Sequence, residues 1–166
     1  MSADKKVVIV PCSGIGKTYG TVSREAAYEI VDELRPQATQ LIALSMLVMG
    51  NTAARAAVAC HPAVTIDGCK LACASKMVQE SGGTIAQDFA VLDVYRRNRQ
   101  CKPKGIAELN EGGLQLAHAL AEEAAAIVDI LQEDADRNNT QACSECNRSM
   151  NADEYGYSSV SSVVNF

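Results

Sequence analysis

Residues 63–73 read Ala63-Val64-Thr65-Ile66-Asp67-Gly68-Cys69-Lys70-Leu71-Ala72-Cys73. The apolar and β-branched start predicts a short buried strand, the glycine predicts a turn, and the residues beyond it predict a helix. Residues 6–12 follow the same order, since the apolar run Val7-Val8-Ile9-Val10-Pro11 precedes Cys12 and a glycine-containing loop. Two units of this kind indicate a parallel α/β sheet, in which the strand-to-helix turns lie on one edge.

Three cysteines follow these two strands: Cys12 after the first, and Cys69 and Cys73 after the second. Because the carboxyl ends of parallel strands share an edge, we expect the three thiols to meet although they are far apart in the sequence. Three thiols at one edge of a sheet are typical of a metal site or a redox site.

The rest of the chain continues the alternation of strands and helices. It predicts strands at residues 6–11, 40–44, 63–67 and 84–91, and helices at 21–34, 52–59, 70–81 and 111–135. Residues 46–50 are expected to form an apolar loop, and residues 95–105 an irregular basic segment. The predicted fold is a small three-layer, doubly wound α/β domain. Its four-stranded sheet is mostly parallel, has the order 2-1-3-4, and carries helices on both faces. We expect a domain at 1–136 and a polar tail at 137–166.

Composition restricts the classes of function. The chain has 166 residues, enough for one domain with a sizeable core, and its net charge of -5 without a basic stripe argues against nucleic acid as a partner. It has no apolar run of about 18 residues that would span a membrane. The first residues lead into a strand without the features of a signal peptide, so a cytoplasmic location is expected. There, seven cysteines favour metal binding or thiol chemistry over disulfides.

The loop after the first strand reads Cys12-Ser13-Gly14-Ile15-Gly16-Lys17-Thr18. Its amides, the following helix and Lys17 favour Cys12 as a thiolate, and they predict an anion-binding loop of Ser13, Gly14, Gly16 and Lys17. The piece Gly16-Lys17-Thr18 is similar to part of a phosphate loop, but the P-loop spacing requires a glycine where Pro11 stands. The alternative is an ordinary turn with a solvated Lys17.

Cys69 and Cys73 are four residues apart, which predicts that they lie on one helical face, one turn from each other. Asp67 is a candidate helix cap, a candidate hydrogen-bond acceptor behind the metal ligands, or a general base, and capping is favoured. A buried cysteine also serves in many proteins as no more than a small apolar residue.

These motifs resemble those of the DGC-domain family, which is named for its Asp-Gly-Cys string and to which zinc binding is ascribed. The resemblance rests on Asp67-Gly68-Cys69, on Cys73-Ala74-Ser75-Lys76 and on Pro11-Cys12-Ser13-Gly14, and it covers about residues 6–130. It extends to Gly20-Thr21-Val22-Ser23-Arg24 and Ala26-Ala27-Tyr28. It implies a zinc site of four cysteines, of which Cys12, Cys69 and Cys73 are present. Family members place a further cysteine after strand two, where this chain reads Ala43-Leu44-Ser45-Met46.

The fourth ligand is open. Cys60 and His61 precede the third strand, so they lie at its opposite edge, about 13–16 Å from Cys69. A Zn–S bond is about 2.3 Å long, so we predict that both are structural. His118 is expected on a helix surface. The remaining candidates are a water molecule or a substrate thiolate, Cys101 after strand four, and the C-x2-C pair of the tail, Cys143 and Cys146.

The sequence therefore predicts a cytoplasmic zinc-binding protein with one zinc ion per chain, in sulfur or thiol handling. One alternative is a metal-free thiol/disulfide or sulfur-transfer enzyme with Cys12 as nucleophile, assisted by Lys17 and resolved by Cys69 or Cys73. Another is a protein that delivers metal or sulfur through its tail pair. An iron–sulfur cluster is less favoured. The expected partners are a metal ion and a small thiol or anion, which the solvated arginines 96, 97 and 99 would attract only weakly.

Overall fold

The structure is a computed structural model that describes the backbone of residues 6–152 and the side chains of residues 6–137. Within this part, the chain divides into two compact units that separate between Gln132 and Glu133. The second unit begins with the end of a long helix, in which Arg137 contacts Asp134. The division into a domain at 1–136 and a tail at 137–166 stays a prediction, because much of the tail lies outside the described residues.

Four parallel strands form the sheet, in the order β2-β1-β3-β4: β1 (Val7–Pro11), β2 (Thr39–Leu41), β3 (Ala63–Asp67) and β4 (Ile85–Ala90). Val8 of β1 pairs with Gln40 of β2, and Val10 of β1 pairs with Thr65 of β3. The predicted α/β class and strand order are confirmed. Since every pair is parallel, all four strands end at the same side of the sheet, which we call the carboxyl edge.

The described helices connect and cover these strands. The first is α1 (Thr18–Tyr28), which passes directly into a π-helix (Glu29–Leu34). The others are α2 (Leu44–Val48), α3 (Thr52–Cys60), α4 (Cys73–Glu80), α5 (Val91–Arg97) and α6 (Glu111–Ala152). Asn51 caps α3, because its side chain accepts a 2.9 Å hydrogen bond from the Ala54 amide.

Two separate cores, one on each face of the sheet, make the fold three-layered. Val7 and Ile9 of β1 pack in a core with α1, α5 and α6, whereas Val8 and Val10 pack in a core with α2, α3 and α4. All four valine and isoleucine side chains are buried. A strand that is buried on both faces reads as a continuous apolar run, which explains the sequence of β1. The helices therefore lie on both faces, as predicted.

Helix α1 begins at Thr18, three residues before the predicted start. A glycine within a helix costs about 1 kcal/mol relative to alanine, so Gly20 needs a compensating contact. In the structure, a Cβ atom on Gly20 would lie 2.2 Å from the Cα atom of Gly14. Close packing of α1 on the preceding loop therefore requires the glycine, and the helix includes it.

Other boundaries also differ from the prediction. Strand β2 ends at Leu41, and residues 44–48, which were expected to be strand and loop, form α2. Residues 95–97, the first part of the basic segment that was expected to be irregular, form the end of α5. Helix α6 continues to Ala152, far beyond residue 135. Among the described residues, no helix is both long and apolar enough to cross a membrane.

Candidate functional site at the carboxyl edge

The ends of β1 and β3 are tied together beneath the cysteines. The backbone N–H of Cys12 donates a 2.9 Å hydrogen bond to the Ile66 carbonyl and also lies 3.1 Å from the Ser23 hydroxyl. That hydroxyl donates a 2.6 Å bond to the same Ile66 carbonyl. Ser23 is fully buried in α1, so it joins α1, β1 and β3 at one point. This junction fixes the start of the Cys12 loop beside the turn that carries Cys69.

Three glycines allow the two loops to approach α1 closely. Gly14, Gly20 and Gly68 come from the loop after β1, from the first turn of α1 and from the turn after β3. A Cβ atom on Gly14 would lie 2.1 Å from the Cα atom of Gly20, and one on Gly68 would lie 3.0 Å from the Gly20 nitrogen. The glycine of the Asp-Gly-Cys string is thus required by a backbone contact with α1.

Asp67 holds the start of α4. It is 5% exposed, and its two carboxylate oxygens accept hydrogen bonds of 2.8 Å from the Ala74 amide and 3.1 Å from the Ser75 amide. The Ser75 hydroxyl adds a bond of 2.7 Å to the carboxylate and lies 2.8 Å from the Thr65 hydroxyl. Asp67 therefore caps α4 across the turn, as the favoured interpretation of the sequence has it. Through these three hydrogen bonds the carboxylate positions the start of α4.

The prediction that Cys69 and Cys73 share a helical face is wrong. Cys73 is the first residue of α4, and Cys69 lies in the preceding turn, where its carbonyl accepts a 3.1 Å bond from the Ala72 amide. Ala72 has a φ of 51°, in the left-handed region, which interrupts the helix between the two cysteines. A sequence pattern of four-residue spacing does not reveal such a turn.

Cys12, Cys69 and Cys73 nevertheless form one electrostatic group. The pKa of the Cys73 thiol is raised, first by its removal from water and then by the negative charges that Cys12, Asp67 and Cys69 carry when ionised. Lys76 acts in the opposite direction. Cys12 is buried, whereas Cys69 and Cys73 are partly exposed. The three thiols are therefore close enough to interact, and the deprotonation of one opposes that of another.

The arrangement is not that of a completed metal site. Within the residues whose side chains are described, no group of three or more His, Cys, Asp or Glu residues is positioned to hold a metal ion. The donor chemistry of the three thiols fits zinc, which binds thiolate sulfur. Zinc ligation by these residues would require their three sulfurs to lie closer together than they do here. Zinc ligation by Cys12, Cys69 and Cys73 stays a prediction.

The candidate fourth ligands lie in different surroundings. Cys101 follows α5 and is buried in the core that α6 covers, where its sulfur lies 3.9 Å from the Gln115 side-chain oxygen. The groups that shift the pKa of Cys73 do not include Cys101. Cys143 and Cys146 fall within the backbone range of α6, and their side chains lie outside the described part. Whether any of these three cysteines is a ligand stays a prediction.

Two further residues lie where the sequence predicts structural roles. Cys60 ends α3, immediately before β3, and is exposed at the edge opposite to the candidate site. His118 lies on the surface of α6, where its Nδ1 atom contacts the Glu29 carboxylate and its Nε2 atom lies 3.5 Å from Glu122. These contacts raise the pKa of His118, mainly through the hydrogen bond to Glu29.

The arginines of the basic segment also have structural contacts. Arg96 and Arg97 lie in α5 rather than in a loop, and they form ion pairs with Asp93 and Glu123. Arg99 follows the helix and is exposed. The solvated surface that the sequence predicts is thus a helical one.

A cavity of about 400 Å³ opens beside Cys12 at the carboxyl edge. It is lined by the loop after β1, by the end of β2 and the start of α2, and by Arg24, Tyr28 and Ile106. Lys17, which was predicted to bind an anion, is the exposed residue that precedes α1. The cation that lines the cavity is Arg24, a residue that the sequence singled out only as part of a resemblance. The feature of the sequence that could have indicated Arg24 is the position of a charged residue among the buried residues of α1.

The fold and these groups define the class of protein: a doubly wound α/β domain with three cysteines and a small cavity at the carboxyl edge of its sheet. A family model of the DGC domain matches residues 8–112, which span both cysteine loops. The chain belongs to the DGC-domain family. No curated protein and no solved structure matches it.

Proposed function

We propose that this protein binds one zinc ion per chain through Cys12, Cys69 and Cys73. The observation that carries the proposal is the junction at Ser23 and Ile66, which brings the loops after two adjacent parallel strands together. A parallel sheet of this order places its ligand site at the carboxyl edge between β1 and β3, where the strand order reverses. Cys12 follows β1, Cys69 lies in the turn after β3, and Cys73 begins the helix after that turn.

The chemistry of the group supports a bound cation. Three neighbouring thiols cannot all ionise at low cost unless a positive charge offsets them, and one lysine acts on Cys73. Three protein thiolates leave the fourth position of a tetrahedral zinc ion to water, a small thiol or another cysteine of the chain. Zinc held in this way would act as a Lewis acid toward a bound thiol or water molecule. This is the basis for a role in sulfur or thiol handling.

The residues around the thiols would hold such a site in place. Asp67 fixes the first turn of α4 and therefore the backbone of Cys73, while Ser23 fixes the backbone of Cys12. Zinc binding through thiolates requires reduced cysteines, which a reducing compartment maintains, so a cytoplasmic location is part of the proposal.

The metal content of protein that is purified without air tests the proposal. We expect about one zinc ion per chain in the wild type and only a small fraction of that in Cys69→Ser, because the change removes a ligand and a compensating charge. Cys60→Ser is the matched control, since Cys60 is an exposed cysteine at the opposite edge. Full zinc content in a variant that lacks Cys12, Cys69 and Cys73 would overturn the assignment. Iron and sulfide in the purified wild type, in place of zinc, would show that the site holds an iron–sulfur cluster.

A second candidate is a metal-free thiol enzyme, which the cavity beside Cys12 favours. The Cys12 thiolate would attack a disulfide substrate, form a mixed disulfide and release one thiolate, and Cys69 or Cys73 would then displace the second. The two candidates differ in a simple measurement. Metal-free protein that reduces a disulfide such as oxidised glutathione once per chain, and repeatedly when an added dithiol restores its thiols, supports the enzyme if Cys12→Ser is inactive, whereas inactivity of the metal-free wild type opposes it.

A further inference from the structure

The cavity beside Cys12 contains a cation whose charge the described protein does not pair. Arg24 lines the cavity, and its two terminal nitrogens donate to the Ser13 carbonyl and, at 3.1 Å, to the Thr21 hydroxyl. Among residues 6–137, no carboxylate forms an ion pair with this guanidinium. A guanidinium has five N–H donors, so three remain available. A partly buried arginine with free donors is well suited to bind an anion.

The rest of the lining indicates what kind of anion fits. Pro11, Leu41, Leu44 and Ile106 give the cavity an apolar wall, and Arg24 is the one cationic side chain among the described residues that line it. A single planar guanidinium matches a carboxylate, which it can bind through two parallel hydrogen bonds. An apolar wall favours an aliphatic part over a polyanion, and a volume of about 400 Å³ is that of a small-molecule site.

We propose that this cavity binds a small aliphatic carboxylic acid, with the carboxylate on Arg24 and the aliphatic part against the apolar wall. Ile15 lines the cavity and is 91% exposed, so an aliphatic ligand would cover part of its side chain. The Cys12 thiol lines the same cavity. Substrates for any chemistry at this thiol would therefore be selected as small organic acids.

This proposal does not require the zinc site. The carboxylate is bound by Arg24, which is not among the three candidate ligands, and the apolar contacts come from β1, β2, α2 and Ile106. Binding should therefore persist in protein that has been stripped of metal. If zinc binding fails and carboxylate binding holds, the cavity remains a site of its own.

A titration with hexanoate, followed through isoleucine methyl signals in NMR spectra, tests the proposal. We expect the signals of Ile15 and Ile106 to shift, those of Ile130 on α6 to stay in place, and the Kd to be on the order of 1 mM for so small a ligand. Hexanamide, which has the same chain without the charge, should bind about tenfold or more weakly to the unaltered protein.

Two variants locate the site. Arg24→Gln should weaken hexanoate binding about tenfold while leaving the affinity for hexanamide nearly unchanged. Because Arg24 also braces the Ser13 loop, Ser45→Phe provides a second variant that fills the cavity from the exposed start of α2 and should abolish both interactions. Equal binding of hexanoate and hexanamide, tighter binding of inorganic phosphate than of hexanoate, or hexanoate binding only in the presence of zinc would each overturn the proposal.

Discussion

Charged side chains have different partners on the face of the sheet that α6 covers and at the carboxyl edge of the sheet. On the α6 side, Arg35 forms two 2.6 Å bonds to Asp129, which raise the pKa of Arg35 and lower that of Asp129. His118 contacts Glu29 on the same side. These side chains find their partners within the chain, and each pair joins α6 to the segment that follows α1.

At the carboxyl edge, the corresponding groups are left without such partners. Arg24 donates to a carbonyl and a hydroxyl, and Cys73 lies near other thiols that oppose its ionisation. The two buried cysteines show the same contrast, since Cys12 and Cys101 are both 7% exposed. Cys101 packs among aliphatic side chains, whereas Cys12 lines a cavity. Burial alone therefore does not distinguish Cys12 from Cys101, whereas the place of Cys12 beside a cavity at a strand end does.

The largest effect that we expect concerns metal removal at the carboxyl edge. A chelator should lower the free energy of unfolding of the wild type by about 4 kcal/mol when zinc is present at roughly a thousand times its Kd. Cys101→Ala should show the same loss, and Cys12→Ser should show almost none. Urea denaturation with and without the chelator measures this difference. If the chelator does not change the stability of the wild type, then metal does not stabilise the carboxyl edge and the two regions do not differ in this respect.

The next largest effect concerns the glycine contact that brings the loops together. Gly20→Ala gains about 1 kcal/mol of helix propensity but forces a Cβ atom against the Cα atom of Gly14, and overpacking of this kind costs about 1–3 kcal/mol or more. We therefore expect a net loss of about 2 kcal/mol or more in the free energy of unfolding, together with weaker zinc binding.

Gly113→Ala in α6 is the matched control for this change. A Cβ atom there would lie 3.0 Å from the Cβ atom of Leu109, a side-chain contact next to the helix start rather than a backbone contact within a packed junction. Its unfolding free energy should change by less than that of Gly20→Ala, and its zinc content should stay at the wild-type level. An equal loss of zinc in both variants would show that the junction has no special role.

A smaller effect is expected on the α6 side. Cys101→Ala removes one sulfur atom from the core and should lower the free energy of unfolding by about 1 kcal/mol, as other small deletions in a core do. Zinc content and the binding of hexanoate should both be unchanged. If Cys101→Ala loses as much zinc as Cys69→Ser does, then Cys101 is the fourth ligand and must leave its position in the core when metal binds.

The fold could be predicted from the sequence because the two central strands, β1 and β3, are buried on both faces and the connections are of the crossover type. Val7 to Pro11 and Ala63 to Asp67 are buried throughout, so their boundaries match the prediction closely. Right-handed crossovers leave few arrangements of the strands, and the order 2-1-3-4 is the simplest of them. The juxtaposition of the loops that carry Cys12 and Cys69 then follows from the topology.

The features that the sequence did not predict depend on contacts between distant residues. Gly20 lies in a helix because it packs against Gly14, and α4 begins late because Ala72 is left-handed and Asp67 caps the helix from across the turn. The role of Arg24 depends on the cavity that α2 and Ile106 complete. No local pattern contains this information, since each contact joins segments that only the folded chain brings together.

The smallest effect that we expect is a pH dependence of stability on the α6 side. Glu29, with smaller contributions from Glu122 and Glu33, raises the pKa of His118 in the folded state. The protonated form is therefore favoured by folding. The added stability is fully present below the unfolded pKa of about 6.5 and is lost as the pH rises through the raised value of the folded state. Because the side chain is 54% exposed, solvent screening limits the effect to about 0.5 kcal/mol or less.

Urea denaturation of the wild type and of His118→Gln, at several values between pH 6 and pH 8.5, measures this contribution as the difference between the two proteins. The difference should be largest at pH 6 and should vanish at the alkaline end. Glu29→Gln should remove most of it, because Glu29 is the main cause of the shift, whereas Glu122→Gln should remove little, since Glu122 lies 3.5 Å away on the exposed side. A difference that is independent of pH would show that the contact of His118 with Glu29 contributes packing alone. Zinc content should be the same in all four proteins, because the pairs on the α6 side stabilise the fold and are not part of the site at the carboxyl edge.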